Sequence, residues 1–434
     1  MKLWQKGDDI NNAFERFTIG KDRELDLYLA PYDVHASQVH AEMLGKVGLI
    51  SDSEANQLVD ELDKIGLTIQ NGDFQIDEGV EDVHSQIEFI LTKNLGDVGK
   101  KIHTGRSRND QVLTALKLFT RNKLEDIADR MISLFNLLIS KSECYKDCLM
   151  PGYTHMQVAM PSSFGLWFGS YAESLVDDLV YLKAAHKIVN RSPLGSAAGY
   201  GSSFPLDRDY TSDQLGFSGP NINSIYAQAT RGKMEKQVAY SIASLAGTIS
   251  KLSSDICLYA GQDFGFFNLP VQFTTGSSIM PHKHNPDGFE LLRAKCNQLQ
   301  SLPVEMTLIM NNLQSGYHRD FQQLKERFIP SIISLIECLE MAVLMIGELE
   351  VEKDLINQTK YDLLFTVEEV NSLVKRGIPF RDAYEEVALK VKSEVFQPVR
   401  NIDHSHLGSI GELGNERIKS NFMNEFTYFN KRSN

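Results

Sequence analysis

Between Gly105 and Pro151 the chain contains neither glycine nor proline, a gap far longer than the mean globular helix of about 11–12 residues. These two residues are the ones that most readily interrupt a helix, so their absence leaves nothing local to stop one. Within the gap Val112, Leu116, Phe119, Ile127, Met131, Leu134 and Leu138 recur at steps near three or four, with Lys123 interrupting the stripe. The pattern predicts one very long amphipathic helix. Asn109 and Asp110, good capping residues just ahead of the stripe, are expected to mark its start.

Comparable patterns run from Ser170 to Ser192, from Lys233 to about Ala260, from Phe289 to about Ser315 and from Ile329 to about Glu350. Pro303 is expected to bend or end the third, since proline removes an N–H and crowds the preceding turn. Strand-like alternation is scarce, and no βαβ rhythm or glycine-rich dinucleotide turn is present. The expected class is all-α, with a central bundle of long helices over residues 106–350. Shorter helical patterns predict two smaller, mainly helical flanking domains at 1–105 and 351–434. Stripes this long exceed what one compact monomer buries, so the bundle is expected to be shared between subunits.

The formal charge is −13, from 44 Lys and Arg against 57 Asp and Glu. Such a surface repels phosphate backbones, which argues against nucleic-acid partners but not against anionic small molecules held in a local basic pocket. Cys144, Cys148, Cys257, Cys296 and Cys338 form no CxxC pair and have no histidines at zinc-finger spacing, so they read as packing thiols in a reducing compartment. Met1 to Asn12 is polar and lacks an apolar signal core, and no uninterrupted apolar run is long enough to cross a bilayer. The expectation is a soluble, cytoplasmic protein with no membrane partner.

Three islands rich in Gly, Ser, Thr, His and Arg interrupt the helices, at 101–110, 150–161 and 261–286. Functional groups concentrate on loops held by rigid scaffolds. In the first, Ser107, Arg108 and Asn109 precede the long helix, whose N-terminal N–H groups attract anions. Arg108 adds a fork suited to a carboxylate, although a capping segment with an exposed arginine reads the same way. The second, MPGYTHMQ, offers Thr154 and His155. A lone histidine is more often structural, but its ring is also the one most easily poised for proton transfer near neutral pH.

The densest island is TTGSSIMPHKHNPDGFELLRAK, residues 274–295. Ser277 and Ser278 sit in a small mobile turn, and Lys283 and Asn285 stand just before Pro286. Asn285 is expected to cap the helix that follows, with Glu290 about one turn inside it. His282 and His284 flank Lys283, but HxH without further ligands is a weak metal signal, and no metal is assigned. Asn190 to Tyr210 reads as a Gly/Ser-rich connection. In YHRDFQQLKE, residues 317–326, Tyr317, Gln322 and Lys325 fall near helical spacing; alone, the stretch reads as a solvated helix surface.

Taken together, the islands resemble the fumarase/aspartase superfamily, whose signature GSSxMPxKxNP is matched by GSSIMPHKHNP. Within it, HTGRSRNDQV, MPGYTHMQ, SPLGS, FPLDRDYT and QDFGF are similar, in the right order, to segments of the argininosuccinate lyases. DVHASQVHAEML and RGIPFRDAYEEVA are similar too, and the resemblance covers nearly the whole chain. It implies a homotetramer on a central helical bundle, with each active site assembled from three subunits. It also implies anti elimination of fumarate from argininosuccinate, releasing arginine without a cofactor. By matched position, Ser277 is implied to be the general base that removes the Cβ proton. His155, oriented by Glu290, is implied to belong to the proton relay for the leaving guanidino group. Lys283 and Asn285, with Ser107, Asn109 and Thr154, are implied to bind the succinyl carboxylates, and Arg108 and Arg231 are candidates for that end. Tyr317, Gln322 and Lys325, together with Ser37, are implied to grip the arginine part.

The sequence also departs from that family. NSIYAQATRG, residues 223–232, stands where NSxDxVSDRD is usual, so that Tyr226, Gln228 and Thr230 replace expected residues while Arg231 is kept. His284 stands where a second lysine is common, and Tyr384 replaces a frequent histidine. The first departure keeps open another succinylated amine, such as adenylosuccinate, as substrate. A non-catalytic role like that of the related delta crystallins is the other alternative. The intact set Thr154, His155, Ser277, Lys283, Asn285 and Glu290 argues for catalysis.

Overall fold

The computed structural model describes residues 12–400 and 402–430, so most of the polar N-terminal stretch read above lies outside the described residues. The glycine- and proline-free segment is one helix, Arg108–Cys144. Its cap is Ser107, not Asn109 or Asp110. The Ser107 hydroxyl accepts from the Asn109 N–H at 3.3 Å, and Ser107 gives its own N–H to Asp110 Oδ1 at 2.8 Å. This reciprocal exchange satisfies two end groups at once, so the helix starts two residues earlier than a cap at Asn109 would place it.

Further long helices are Phe164–Val189, Lys233–Tyr259 and Phe321–Gly347. The stretch read as one helix from Phe289 is two, Asp287–Leu299 and Leu302–Met310, with Pro303 in the first turn of the second. Proline there needs no N–H partner and pre-sets the helical φ. The last long helix begins at Phe321, eight residues before the expected Ile329, and carries Pro330 on an exposed position inside it. By length and composition this helix could cross a membrane. Glu337 and Glu340 interrupt its apolar run, and Leu324, Phe328, Ile332, Leu335 and Leu339 are buried within the protein, as in a core helix.

The chain forms two compact units, each drawn from three stretches of sequence. The first comprises residues 12–127 with Tyr181–Ser244 and Gln298–Leu335; the second comprises Ala128–Val180, Leu245–Asn297 and residues from Ile336 onward. In the first unit the helices Ala30–Lys46, Asp52–Gln70 and Val83–Leu95 enclose Met43, Leu44, Leu58, Leu62, Ile87 and Leu91. In the second, Phe135 stacks on Phe422 at 3.9 Å, and Trp167 packs against Phe168, Tyr171, Tyr259 and Phe267.

The island at 150–161 is a β-hairpin. Strand β1 (Leu149–Thr154) runs antiparallel to β2 (Gln157–Ser163), with Thr154 paired to Gln157. Phe267–Asn268 and Glu350–Val351 form the other short pair. Among the described residues no disulfide joins the five cysteines.

Candidate active site

The predicted site residues fall into two sets, one in each unit. In the first unit a cavity of about 180 Å³ is walled by Arg108, Asn109, Arg231, Tyr317, Gln322 and Lys325, all expected from sequence. It also holds Asp22, Asp26, Glu81, Asp82 and Arg319, which sequence reasoning missed. The only hint was the acidic pair of DRELD, whose carboxylates stand four apart on one helical face.

The stretch read as a solvated surface buries one side: Phe321, Gln322, Leu324 and Lys325 are buried, while Tyr317, Arg319, Asp320 and Gln323 are exposed. Lys325 is 4% exposed, its Nζ 2.7 Å from Asp26 Oδ1 and 2.9 Å from Asp22 Oδ1. Burial pulls this ammonium's pKa down, but the carboxylates of Asp26 and Asp22 outweigh that and hold it above its ordinary value. Lys325 therefore stays charged inside the wall. Gln322, also buried, donates its amide to the carbonyls of Thr18 and Ile19 at 2.8 and 2.9 Å. Tyr317 keeps 44% of its surface exposed.

The arginines of this wall are already engaged. Arg108 forks onto Glu81 and Asp82, and Arg319 reaches Glu81 at 2.7 Å. Arg231 is buried, 3.3 Å from Glu235 and donating to the Phe321 carbonyl at 3.2 Å. Ser37 and Ser107 are not in the wall. Ser37 is fully buried and accepts from Arg106 at 2.9 Å, while Ser107 serves as the helix cap. Asp110 locks this corner: its Oδ2 accepts the N–H groups of Gly195 and Ala197 at 3.0 and 2.9 Å. The Gly/Ser-rich connection is thereby pinned to the start of the long helix. In the atypical segment, Asn223 caps a short helix, Ser224–Ala229, and Gln228 is buried, donating to Ser196 at 2.9 Å.

In the second unit Thr154 and His155 sit at the tip of the hairpin. His155 and Met156 are its two-residue turn, both left-handed with φ of 52° and 59°. That twist suits a tight hairpin, but without glycine it stores strain, on the order of 1 kcal/mol or more per residue. Strain held at a motif histidine is a pointer to function. Its ring is exposed and makes no hydrogen bond among the described residues.

The loop bearing Ser277 is closed at its base by Thr275 and Asn285, which exchange backbone hydrogen bonds at 3.2 and 2.9 Å. The Asn285 amide donates to Thr275 Oγ1 and the Gly276 carbonyl, both at 3.4 Å. Asn285 therefore ties the loop's ends and does not cap the helix. The N–H groups of Phe289 and Glu290 go instead to the Pro286 carbonyl. Ser277 Oγ accepts from the N–H groups of Ile279 and Met280 at 3.4 and 3.2 Å, contacts that favour the oxygen's anionic form. Lys283 and Glu290 are exposed, and no hydrogen bond joins Glu290 to His155 among the described residues.

A family described as lyase matches residues 11–301. An argininosuccinate lyase of Phocaeicola vulgatus is 55% identical over 96% of this chain and 94% of its own length. A crystal structure of EDDS lyase in complex with formate superposes with a TM-score of 0.80 at 23% identity, covering 98% of this chain and 92% of that one. A class II fumarase from Schistosoma mansoni gives 0.69 at 17% identity, covering 92% and 94%. The expected all-α, fumarase/aspartase-like fold is thus the observed one. With sequence identity of this extent along nearly its whole length, the chain belongs to the argininosuccinate lyase family.

Proposed function

We propose that this protein eliminates fumarate from argininosuccinate, releasing arginine as the last step of arginine biosynthesis, in the cytoplasm and as a homotetramer with shared sites. The observation that carries the shared site is exposure. Thr154, His155, Lys283 and Glu290, the groups expected to bind carboxylate and move protons, all face solvent in the single chain. Proton transfer and anion stabilisation both gain from a dry, walled site, which a second and third copy of the 106–350 bundle would supply.

In this reading Ser277 takes the proton from Cβ, and the electron pair spreads into the neighbouring carboxylate. Lys283 and the N-terminus of the following helix stabilise that charge, an effect worth several kcal/mol in a closed site. The C–N bond then breaks, and the relay of His155 and Glu290 delivers a proton to the leaving guanidino nitrogen. Asn285, Ser107, Asn109 and Thr154, with Arg108 and Arg231 as further candidates, hold the succinyl carboxylates. Tyr317, Gln322 and Lys325 hold the arginine part.

The test is ultraviolet absorbance of fumarate after mixing purified protein with argininosuccinate. A steady rise that disappears in Ser277→Ala is expected. No rise, with another succinylated amine cleaved instead, would move the substrate and turn attention to the atypical segment at 223–232.

A further inference from the structure

The hairpin that carries Thr154 and His155 has little of its own to hold it in place. Strands β1 and β2 pair at Leu149, Met150 and Pro151, but the register slips between Pro151 and Tyr153. Beyond that bulge only Tyr153 with Val158 and Thr154 with Gln157 are paired. A two-stranded ribbon is marginal by itself, and this one must also hold the left-handed pair His155 and Met156 at its turn. From 153 to 158 the side chains are exposed with one exception, Tyr153, which is half-buried. Two ladder pairs and one ring therefore fix the tip.

That ring rests on aromatic residues of the same unit. It meets Phe264 edge-on at 5.7 Å and tilts over Phe266 at 6.2 Å. Both belong to QDFGF, residues 262–266, a motif that the proposed chemistry leaves without a role. Gly265 between them is left-handed, with φ of 62°, a conformation glycine adopts without strain. Phe266 is fully buried, stacks on Tyr259 at 5.0 Å and meets Tyr361 edge-on at 6.5 Å. Its backbone is tied on both sides: the N–H donates to the Tyr259 carbonyl at 2.7 Å, and the carbonyl accepts from the Glu352 N–H at 3.0 Å. The seat is thus firm where the hairpin is not. Successive side chains of a strand point to opposite faces. Seating Tyr153 therefore turns Thr154 outward and sets the direction in which the turn presents His155.

We infer that Tyr153 is a positioning residue for the elimination: its ring, seated on Phe264 and Phe266, holds the hairpin tip so that His155 is in reach of the leaving nitrogen. This rests on the reading of His155 as part of the proton relay. Proton transfer needs hydrogen-bond reach, so a small drift of the tip is costly. QDFGF thereby acquires a role as the bed of the hairpin, without touching substrate.

The experiment is steady-state kinetics of fumarate release by the full-length protein, with unfolding midpoints recorded beside it. Tyr153→Leu stays apolar but loses the ring; kcat is expected to fall about 10–100-fold, with KM changed by less than about threefold. Tyr153→Phe keeps the ring and should hold kcat within about threefold of wild type. In a His155→Asn background, Tyr153→Leu should cost nothing further, because it acts only through the histidine. An unchanged kcat in folded Tyr153→Leu, an equal loss in Tyr153→Phe, or the full loss repeated in the His155→Asn background overturns the assignment. Should Tyr153→Leu fail to fold, Phe264→Leu decides: it must lower kcat in the wild type and add nothing in the His155→Asn background, and failure of either overturns the assignment. Full turnover in His155→Asn alone overturns the reading of the histidine itself, a failure distinct from that of its seat.

Discussion

Lys117 donates to the side-chain oxygen of Asn221 at 2.8 Å from a position with no exposed surface. It also donates to the Arg191 carbonyl at 3.0 Å, with Glu235 as the nearby counter-charge. Burial pushes its ammonium from an ordinary 10.5 down to about 7. Between those values the unfolded chain holds a proton that the folded one has released, so this group makes stability rise with pH across that window. Below pH 7 both states are protonated and the contribution is flat. Urea unfolding at pH 7 and pH 9 should show the wild type gaining about 1–2 kcal/mol relative to Lys117→Met. Parallel changes in the two proteins would place the proton elsewhere.

Asp110 is the clamp between the long helix and the loop at 192–197. Three backbone N–H groups, from Ser107, Gly195 and Ala197, converge on its two oxygens. Asp110→Ala leaves all three unpaired, at a cost of about 3 kcal/mol or more. The urea midpoint should fall accordingly. Because Arg108 and Asn109 follow directly on Ser107, KM for argininosuccinate should rise in the same variant.

His155→Asn separates chemistry from folding. Asparagine tolerates the left-handed conformation that the hairpin turn requires, so the thermal midpoint should hold. Turnover should drop by about 10²–10⁴-fold if the ring moves protons. A variant with full activity removes the histidine from the relay.

Gly232 adjoins Arg231 of the cavity wall and has φ of 79°. An added Cβ would lie 2.8 Å from Met310 Cγ and closer still to its sulfur. Gly232→Ala should therefore lower stability by about 1–3 kcal/mol through backbone strain and overpacking. Pairing it with Met310→Ala should recover the packing part and leave the strain, which a double-mutant cycle on unfolding free energies would resolve.

The long helices were legible because the signal that makes them is local. Residues 106–150 offer no breaker, and Pro303 marks a helix boundary by its own covalent geometry, in the first turn of the helix Leu302–Met310. The motif islands were legible as dense polar chemistry, though not as shapes: MPGYTHMQ does not alternate, so its hairpin is invisible as a strand pattern. What escaped were partnerships. Asn285 looks like a cap until Thr275 claims its amide, and Ser107 outcompetes Asn109 because Asp110 answers it. The largest error of reading was Lys325. Its polar neighbours along the chain suggest solvent, while the carboxylates that pair with it, Asp22 and Asp26, belong to a segment at the far end of the sequence. Burial imposed by distant sequence has no local trace.

That separation governs when the cavity can exist. Lys325 and Asp26 are 299 residues apart, so a chain emerging N-terminus first displays Asp22 and Asp26 long before their counter-ion has been made. Until the helix Phe321–Gly347 arrives, these two like charges lack the ammonium that pairs with both in the folded chain. The cavity is thus a late product of synthesis, and a nascent chain truncated before that helix carries the motif loops without Gln322 and Lys325 of its wall.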